Sequence, residues 1–382
     1  MVYYVKQGNM PSSRHTYTSM DRLYREELFG EESFDGPYSL LYHMGEPTRV
    51  KSITRVNKKS SDPVEEMGHK HLVGSRIQAS GDFYDGRRYL LVNKDVKIGL
   101  LKPEKEPKDL FRSALYEQLF YVQKGTGSIK SLQGIVKLRA GDYVYIPKGT
   151  TYFPEYSRGS EFFFVETAQR ITIPPRYLNA YGQLKEGSPY YSRDIVPPAL
   201  AYYDSAPASL NVMVDFGDHY IREERDESMF DVVGWDGYLY PFAINKDSMA
   251  PIVGKLHMPP PVHETFCGKG FMIGTFLPRK FDFHPRSIPI SYYHSNIDVD
   301  EVLFYSSGNF MSRKGISEGS ITVHVRGLVH GPQPGMVEKS IGKGETDEVA
   351  VMVETNDPLS VTQDGSNILD RSYMESWYEG KP

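Results

Sequence analysis

Three residues able to hold a divalent metal stand at defined intervals in the last third of a 382-residue chain. His294 precedes Glu301 in YYHSNIDVDEVLFYSSG, and His330 closes GSITVHVRGLVHGP. Two imidazoles and one carboxylate make the 2-His-1-carboxylate set that suits non-haem Fe(II) and leaves coordination positions open for substrate and O₂. Glu301 opens an apolar run, VLFY, that ends at Gly308. The two segments read as neighbouring strands of one β-hairpin region, which must bring the three side chains together.

The spacing resembles that of the cupin barrels. One of their metal motifs reads HxH, three or four residues, Glu, six residues, Gly; the other reads G, five residues, PxG, two residues, His. Here His294-x-Asn296 is followed by four residues, Glu301, six residues and Gly308. The second motif runs from Gly319 through Gly327 to His330, with Val325 where proline is usual. Asn296 takes the place of the second histidine, so the expected ligand set falls to three. Asp300, next in sequence to Glu301, competes for the carboxylate role; the kept spacing to Gly308 favours Glu301.

The same grammar occurs earlier without its ligands. Gln118 lies where Glu belongs ahead of Gly125, and Tyr152 lies where His belongs after Gly141, Pro147 and Gly149. Turn residues persist because glycine supplies positive φ and proline fixes its own. The expected fold is therefore mainly β, a bicupin of two cupin-like jelly-roll barrels with an N-terminal arm. Residues 1–205 would hold the arm and a degenerate, metal-free barrel, and residues 206–382 the catalytic barrel.

Composition agrees and excludes other classes. Tyr (28), Gly (34) and Pro (26) are plentiful, which favours strands and turns. Net charge is −5 with both signs interspersed, so no nucleic-acid partner is expected. Cys267 stands alone, which rules out an internal disulfide and fits a reducing compartment. MVYYVKQGNM lacks the apolar centre of a signal peptide, and no run nears the roughly 18 apolar residues of a membrane span. A cytoplasmic protein without a membrane partner is the expectation.

Along the arm, LYREELFG reads as one or two helical turns and GPYSLLYHMGEPTRV as a strand, with His43 structural. Residues 56–70 read as an exposed loop, and His69 and His71 as solvated rather than ligating. FDVVGWDGYLYPFAIN reads as a strand ending in a turn, and FMIGTFLPR as a buried strand. Six of the eleven histidines fall between 257 and 330.

These segments together resemble the homogentisate 1,2-dioxygenase family, in a short bacterial form. YYHSN…E…G with VHVRGLVHGP is similar to its iron-binding region; ELFGEESFDGPYSLLYHMGEP and FDVVGWDGYLYPF add to the likeness. The resemblance implies Fe(II) on His294, Glu301 and His330. It implies that His257 in KLHMPPP meets the substrate phenol, as binding and catalytic residue with a near-neutral pKa. It implies that His324, just before the HGP ligand in sequence, is a substrate-binding residue. Two positions depart from the family: Phe310 stands for a tyrosine, and Ser295 for an arginine. Arg279, Arg286 and Arg326 are candidates for a substrate carboxylate, since a guanidinium fork suits one. The implied reaction opens homogentisate with O₂ to maleylacetoacetate, in tyrosine and phenylalanine catabolism. The implied assembly is a homotrimer or a dimer of trimers, with the arm reaching a neighbour. Alternatives are a dioxygenase on gentisate or another hydroquinone, and a non-oxygenase bicupin such as a sugar isomerase or small-ligand binder.

Overall fold

A computed structural model describes residues 11–16, 23–32, 34–43, 45, 46, 48, 68–199, 207–209, 211–224, 230, 239–258 and 263–378. The reading of 56–67 as a loop, and that of residues 231–238 in the linker, lie outside the described residues. No helix among them is long and apolar enough to cross a membrane.

The chain is mainly β, built as two cupin-like barrels with an N-terminal arm. The first barrel has a seven-stranded sheet facing a six-stranded one. The second is built on a six-stranded sheet that holds strands Glu264–Gly268, Phe271–Phe276, Val349–Thr355, Asp300–Ser307 and Ile321–His324. Edge strands are exchanged along the chain. Lys70–Leu72 pairs with Ile321–His324 in the second barrel, while Phe242–Asn245 and Ser360–Val361 complete the seven-stranded sheet of the first.

Strand alternation sorts the side chains. In Glu161–Thr167, Phe162 and Phe164 enter the first barrel's core, while Phe163 and Val165 join the cluster between the barrels. In Asp300–Ser307, Val302 and Phe304 join that shared cluster, and Leu303 and Tyr305 face the second barrel's interior. The Phe163 and Phe304 rings stack 4.7 Å apart across the junction. Two buried hydroxyl pairs flank them, Tyr121 with Ser306 at 2.9 Å and Tyr143 with Thr275 at 2.8 Å.

Two local expectations need correction. LYREELFG is not helical: Arg25–Glu32 is a strand, antiparallel to Asp35–His43 and parallel to Tyr293–Asn296. Helix-forming residues here yield to pairing on both edges. His69 and His71 are not solvated. Both are buried beside and within the strand Lys70–Leu72. The described arm lies against the second barrel of its own chain, where Leu28 registers with His294.

Candidate metal centre

His294, Glu301 and His330 converge. One ligand atom from each lies within 4.8 Å of the others, and all three residues are buried. They come from separate elements, not from a single hairpin. His294 sits on Tyr293–Asn296, paired with the arm, and Glu301 on Asp300–Ser307 in the main sheet. The loop beyond Ile321–His324 returns His330 to His294. His294 N donates to His330 O at 2.8 Å, and His330 N donates to His294 O at 2.9 Å. Gly331 follows at φ 145°, where an added Cβ would lie 2.9 Å from Tyr293 Cα. Only glycine lets the two backbones meet so closely.

Tautomer and aim follow from the hydrogen bonds. His330 Nδ1 donates to Leu328 O at 3.0 Å, which leaves the Nε2 lone pair facing the carboxylate. Nε2 of His330 and Nε2 of His294 are buried with no hydrogen-bond partner among the described residues. Glu301 Oε1 accepts from His324 Nδ1 at 2.7 Å, and Oε2 lies 3.7 Å from His294 Nε2. Burial alone would raise the Glu301 pKa, but the imidazoles of His294 and His324 beside it hold it well below the usual carboxylate range. Burial holds His330 neutral. Two orphaned nitrogen donors and an ionised carboxylate fit a divalent metal of the iron, manganese or zinc group.

Asp300 does not compete. It points to the opposite face, where Oδ1 accepts from Arg326 N and Nε, each at 3.0 Å, and Oδ2 accepts from Leu359 N at 2.8 Å. That also occupies Arg326. Arg286 is exposed. Asn296 contributes its carbonyl to Gly327 N, while its buried amide has no hydrogen-bond partner among the described residues.

The cluster opens on a cavity lined by Phe34, His257, His263, Arg279, Leu303 and Glu348, among others. His257 reaches it with Nε2 unpartnered, but not at a near-neutral pKa: burial, then His15, pushes it well below the ordinary value. His324 is not among the lining residues. It lies behind Glu301, stacked on His330 with ring centroids 4.9 Å apart, and its Nε2 faces Arg313 Nη2 at 3.5 Å. Arg313 also donates to Gly331 O, tying the carboxylate and the His330 loop to one guanidinium.

Besides Arg313, four contributors were not foreseen. Phe34 packs its ring 4.7 Å from that of His294. His15, a non-glycine residue at φ 54°, donates from Nε2 to Ile288 O or Ile290 O and lies 4.8 Å from the His257 ring. His69 sits 5.5 Å from His330, ring to ring, and Trp377 covers His69 at 5.3 Å. Phe34 had a sequence signal in the ESFDGPY likeness, and His69 one in its spacing to His71, which by sequence reads as solvated.

The first barrel fills the equivalent place differently. Arg87 Nη1 and Gln118 Nε2 donate to Glu166 Oε1, the latter at 2.7 Å. Tyr152 Oη donates to Gln118 Oε1 at 2.8 Å, and Tyr89 Oη to Glu166 Oε2 at 2.8 Å. A guanidinium supplies the positive charge, and no polar atom of these side chains is left unpaired.

Comparison with known proteins gives these findings a family context. A family model described as homogentisate 1,2-dioxygenase N-terminal matches residues 93–246. A Saccharolobus solfataricus protein provisionally named a dioxygenase is 43% identical over 99% of this chain and all of its own. The homogentisate 1,2-dioxygenase of Bradyrhizobium diazoefficiens is 23% identical over 70% of this chain and 62% of its own length. That of Emericella nidulans is 24% identical over 59% and 52%. The chain thus spans somewhat over half the length of these named enzymes. Bacillus subtilis oxalate decarboxylase, at 11% identity, covers 83% of this chain and 89% of its own with a TM-score of 0.34, too loose a likeness to argue from.

Proposed function

We propose that this chain, which belongs to the homogentisate 1,2-dioxygenase family, is a dioxygenase that opens homogentisate to maleylacetoacetate, with Fe(II) held by His294, Glu301 and His330. The observation that carries the reading is the meeting of Glu301 with two buried imidazole nitrogens that have no hydrogen-bond partner among the described residues. Iron(II) bound there would supply the one-electron chemistry that lets O₂ react with an aromatic ring.

The protein's own part is placement. His257, kept neutral by burial, accepts a hydrogen bond from a ring hydroxyl at Nε2. Phe34 and Tyr292 edge the His257 ring at 6.5 Å and 4.8 Å and exclude water from that side. His324 acts on the substrate through Glu301, by fixing the carboxylate. The division of labour at residue 205 belongs to the same proposal, with the arm's His15 and Phe34 lent to the second unit and the strands Val212–Asp215, Tyr220–Glu223, Phe242–Asn245 and Ser360–Val361 lent to the first. A homotrimer or dimer of trimers rests on the resemblance alone, and a cytoplasmic location on composition.

The test is anaerobic reconstitution with Fe(II), followed by iron content and O₂ uptake with homogentisate. His294→Ala is expected to lose both. Uptake that persists unchanged in that variant refutes the ligand set. A second reading, ring opening of gentisate or another hydroquinone, is favoured by Phe310 and Ser295, which replace polar residues of the family. A substrate panel followed by ring-opened product absorbance separates the two.

A further inference from the structure

The hydroxylated end of a substrate has partners in the cluster and His257; its other end needs one too. Both positions where the family offers a polar group are committed elsewhere. Ser295 Oγ donates to Glu27 Oε1 at 2.8 Å, and Phe310 packs on the Tyr305 ring at 4.7 Å. Arg313 lines the cavity, but its two terminal nitrogens already serve Ser312 O, Gly331 O and His324, which leaves only Nε unpartnered among the described residues. Arg279 differs. It stands on the two-residue strand Arg279–Lys280, registered with Thr346, so that Arg279, Thr346 and Glu348 share one cavity wall. Its Nη1 donates to the Leu277 carbonyl at 3.1 Å, and the Phe276 ring lies 5.9 Å from its guanidinium carbon. It makes no ion pair among the described residues.

We infer that Arg279 is a specificity-determining residue, whose guanidinium takes the anionic substituent of a carboxylate-bearing hydroquinone. The inference rests on the reading of the cluster as an iron site. A half-buried guanidinium without an ion pair carries part of its desolvation cost unrecovered, which an anionic ligand would offset. Glu348 and Asp282 attract it through space, and burial raises the Glu348 carboxyl while Arg279 draws it back down, but neither carboxylate forms an ion pair with it. His263 adds no competing charge, since burial and then Arg279 bring it down to about 4. Its Nε2 donates to Ile252 O at 3.1 Å. Arg279 thus lines the cavity with one backbone bond and no ion pair among the described residues, and its planar fork suits a carboxylate.

The experiment compares anaerobic binding of 2,5-dihydroxyphenylacetate and its methyl ester to the iron-loaded protein by calorimetry. The acid is expected to bind roughly tenfold to a hundredfold more tightly than the ester, the worth of a charge-assisted hydrogen bond. Arg279→Met should lose that preference with iron content unchanged, and Arg279→Lys should keep part of it. Preference retained in Arg279→Met overturns the inference. So does a wild-type protein that holds iron yet does not distinguish acid from ester, a comparison that needs no folded variant. Iron content separates the two readings: a wild-type chain that takes up no iron sinks the metal site and this inference together.

Discussion

His324→Phe tests whether the carboxylate is aimed by its neighbour or by its own strand. Glu301 Oε1 accepts from His324 Nδ1 at 2.7 Å, and His324 is fully buried. Phenylalanine keeps the ring and its stacking on His330 but removes the donor. A hydrogen bond to a charged group contributes about 1.5–3 kcal/mol. Loss of a partner that orients a metal ligand costs about tenfold to a hundredfold in metal affinity. The two scales agree, since 1.4 kcal/mol is about a tenfold change. Fe(II) affinity, measured anaerobically by competition with a chromophoric chelator, should therefore fall by that factor, with the fold intact by circular dichroism. His324→Asn retains a donor near the Nδ1 position and should lose less. A folded His324→Phe protein whose iron affinity stays within about threefold of the wild type would show that the strand alone aims Glu301. Equal losses in Phe and Asn variants would point to packing instead.

Other perturbations probe the frame. Arg87→Met leaves Glu166 buried without its cation and should destabilise the protein by about 3–5 kcal/mol, and adding Glu166→Gln should recover much of that loss in urea titrations; a single variant as stable as the wild type refutes the reading. Gly308→Ala should cost at least about 1–3 kcal/mol, because φ is 93° and the new Cβ would lie 2.3 Å from Asp347 O; unchanged denaturation midpoints would sink this. Burial holds His69 down to about 3 and His263 to about 4, whereas in the unfolded chain they titrate near 6.5. Below that value the unfolded chain binds protons that the fold refuses. Stability should then fall as pH drops from about 6.5 towards 4, by up to about 1.4 kcal/mol per pH unit for each histidine. His263→Phe should reduce that slope by close to one proton, and a slope unaltered by the substitution refutes the assignment.

What the sequence disclosed follows from the range of its signals. The spacing of His294, Glu301, Gly308 and His330 is short-range, and the same strand period that points Glu301, Leu303 and Tyr305 inward turns Asp300 to Arg326. The paired turn motifs likewise announced two barrels. Residues joined over long separations stayed hidden. His71 Nδ1 donates to Asp370 Oδ2 and its Nε2 bonds Ser320 Oγ, partners some 250 to 300 positions away, so a polar local composition suggested solvent. The strand Arg25–Glu32 is fixed by Tyr293–Asn296 on one side, a pairing that no local propensity encodes. His257 was placed in the cavity region by likeness, but its depressed pKa comes from burial and from His15, which arrives from the far end of the chain.

The two barrels pose one electrostatic question and answer it in opposite ways. Each places a carboxylate in its interior, and a buried anion must find a positive partner or give up its charge. In the first barrel Arg87 stands against Glu166, and Gln118, Tyr89 and Tyr152 use the remaining lone pairs and donors. That centre is closed and needs nothing from solution. In the second, Arg313 is held back behind His324, one side chain removed from Glu301, and two imidazole nitrogens have no hydrogen-bond partner among the described residues. Moving the guanidinium out of contact leaves room and donor atoms for an external cation. The contrast predicts that Arg87 and a metal are alternatives: a metal should bind the second centre alone, and a protein that took up two equivalents, one of them persisting in His294→Ala, would contradict it.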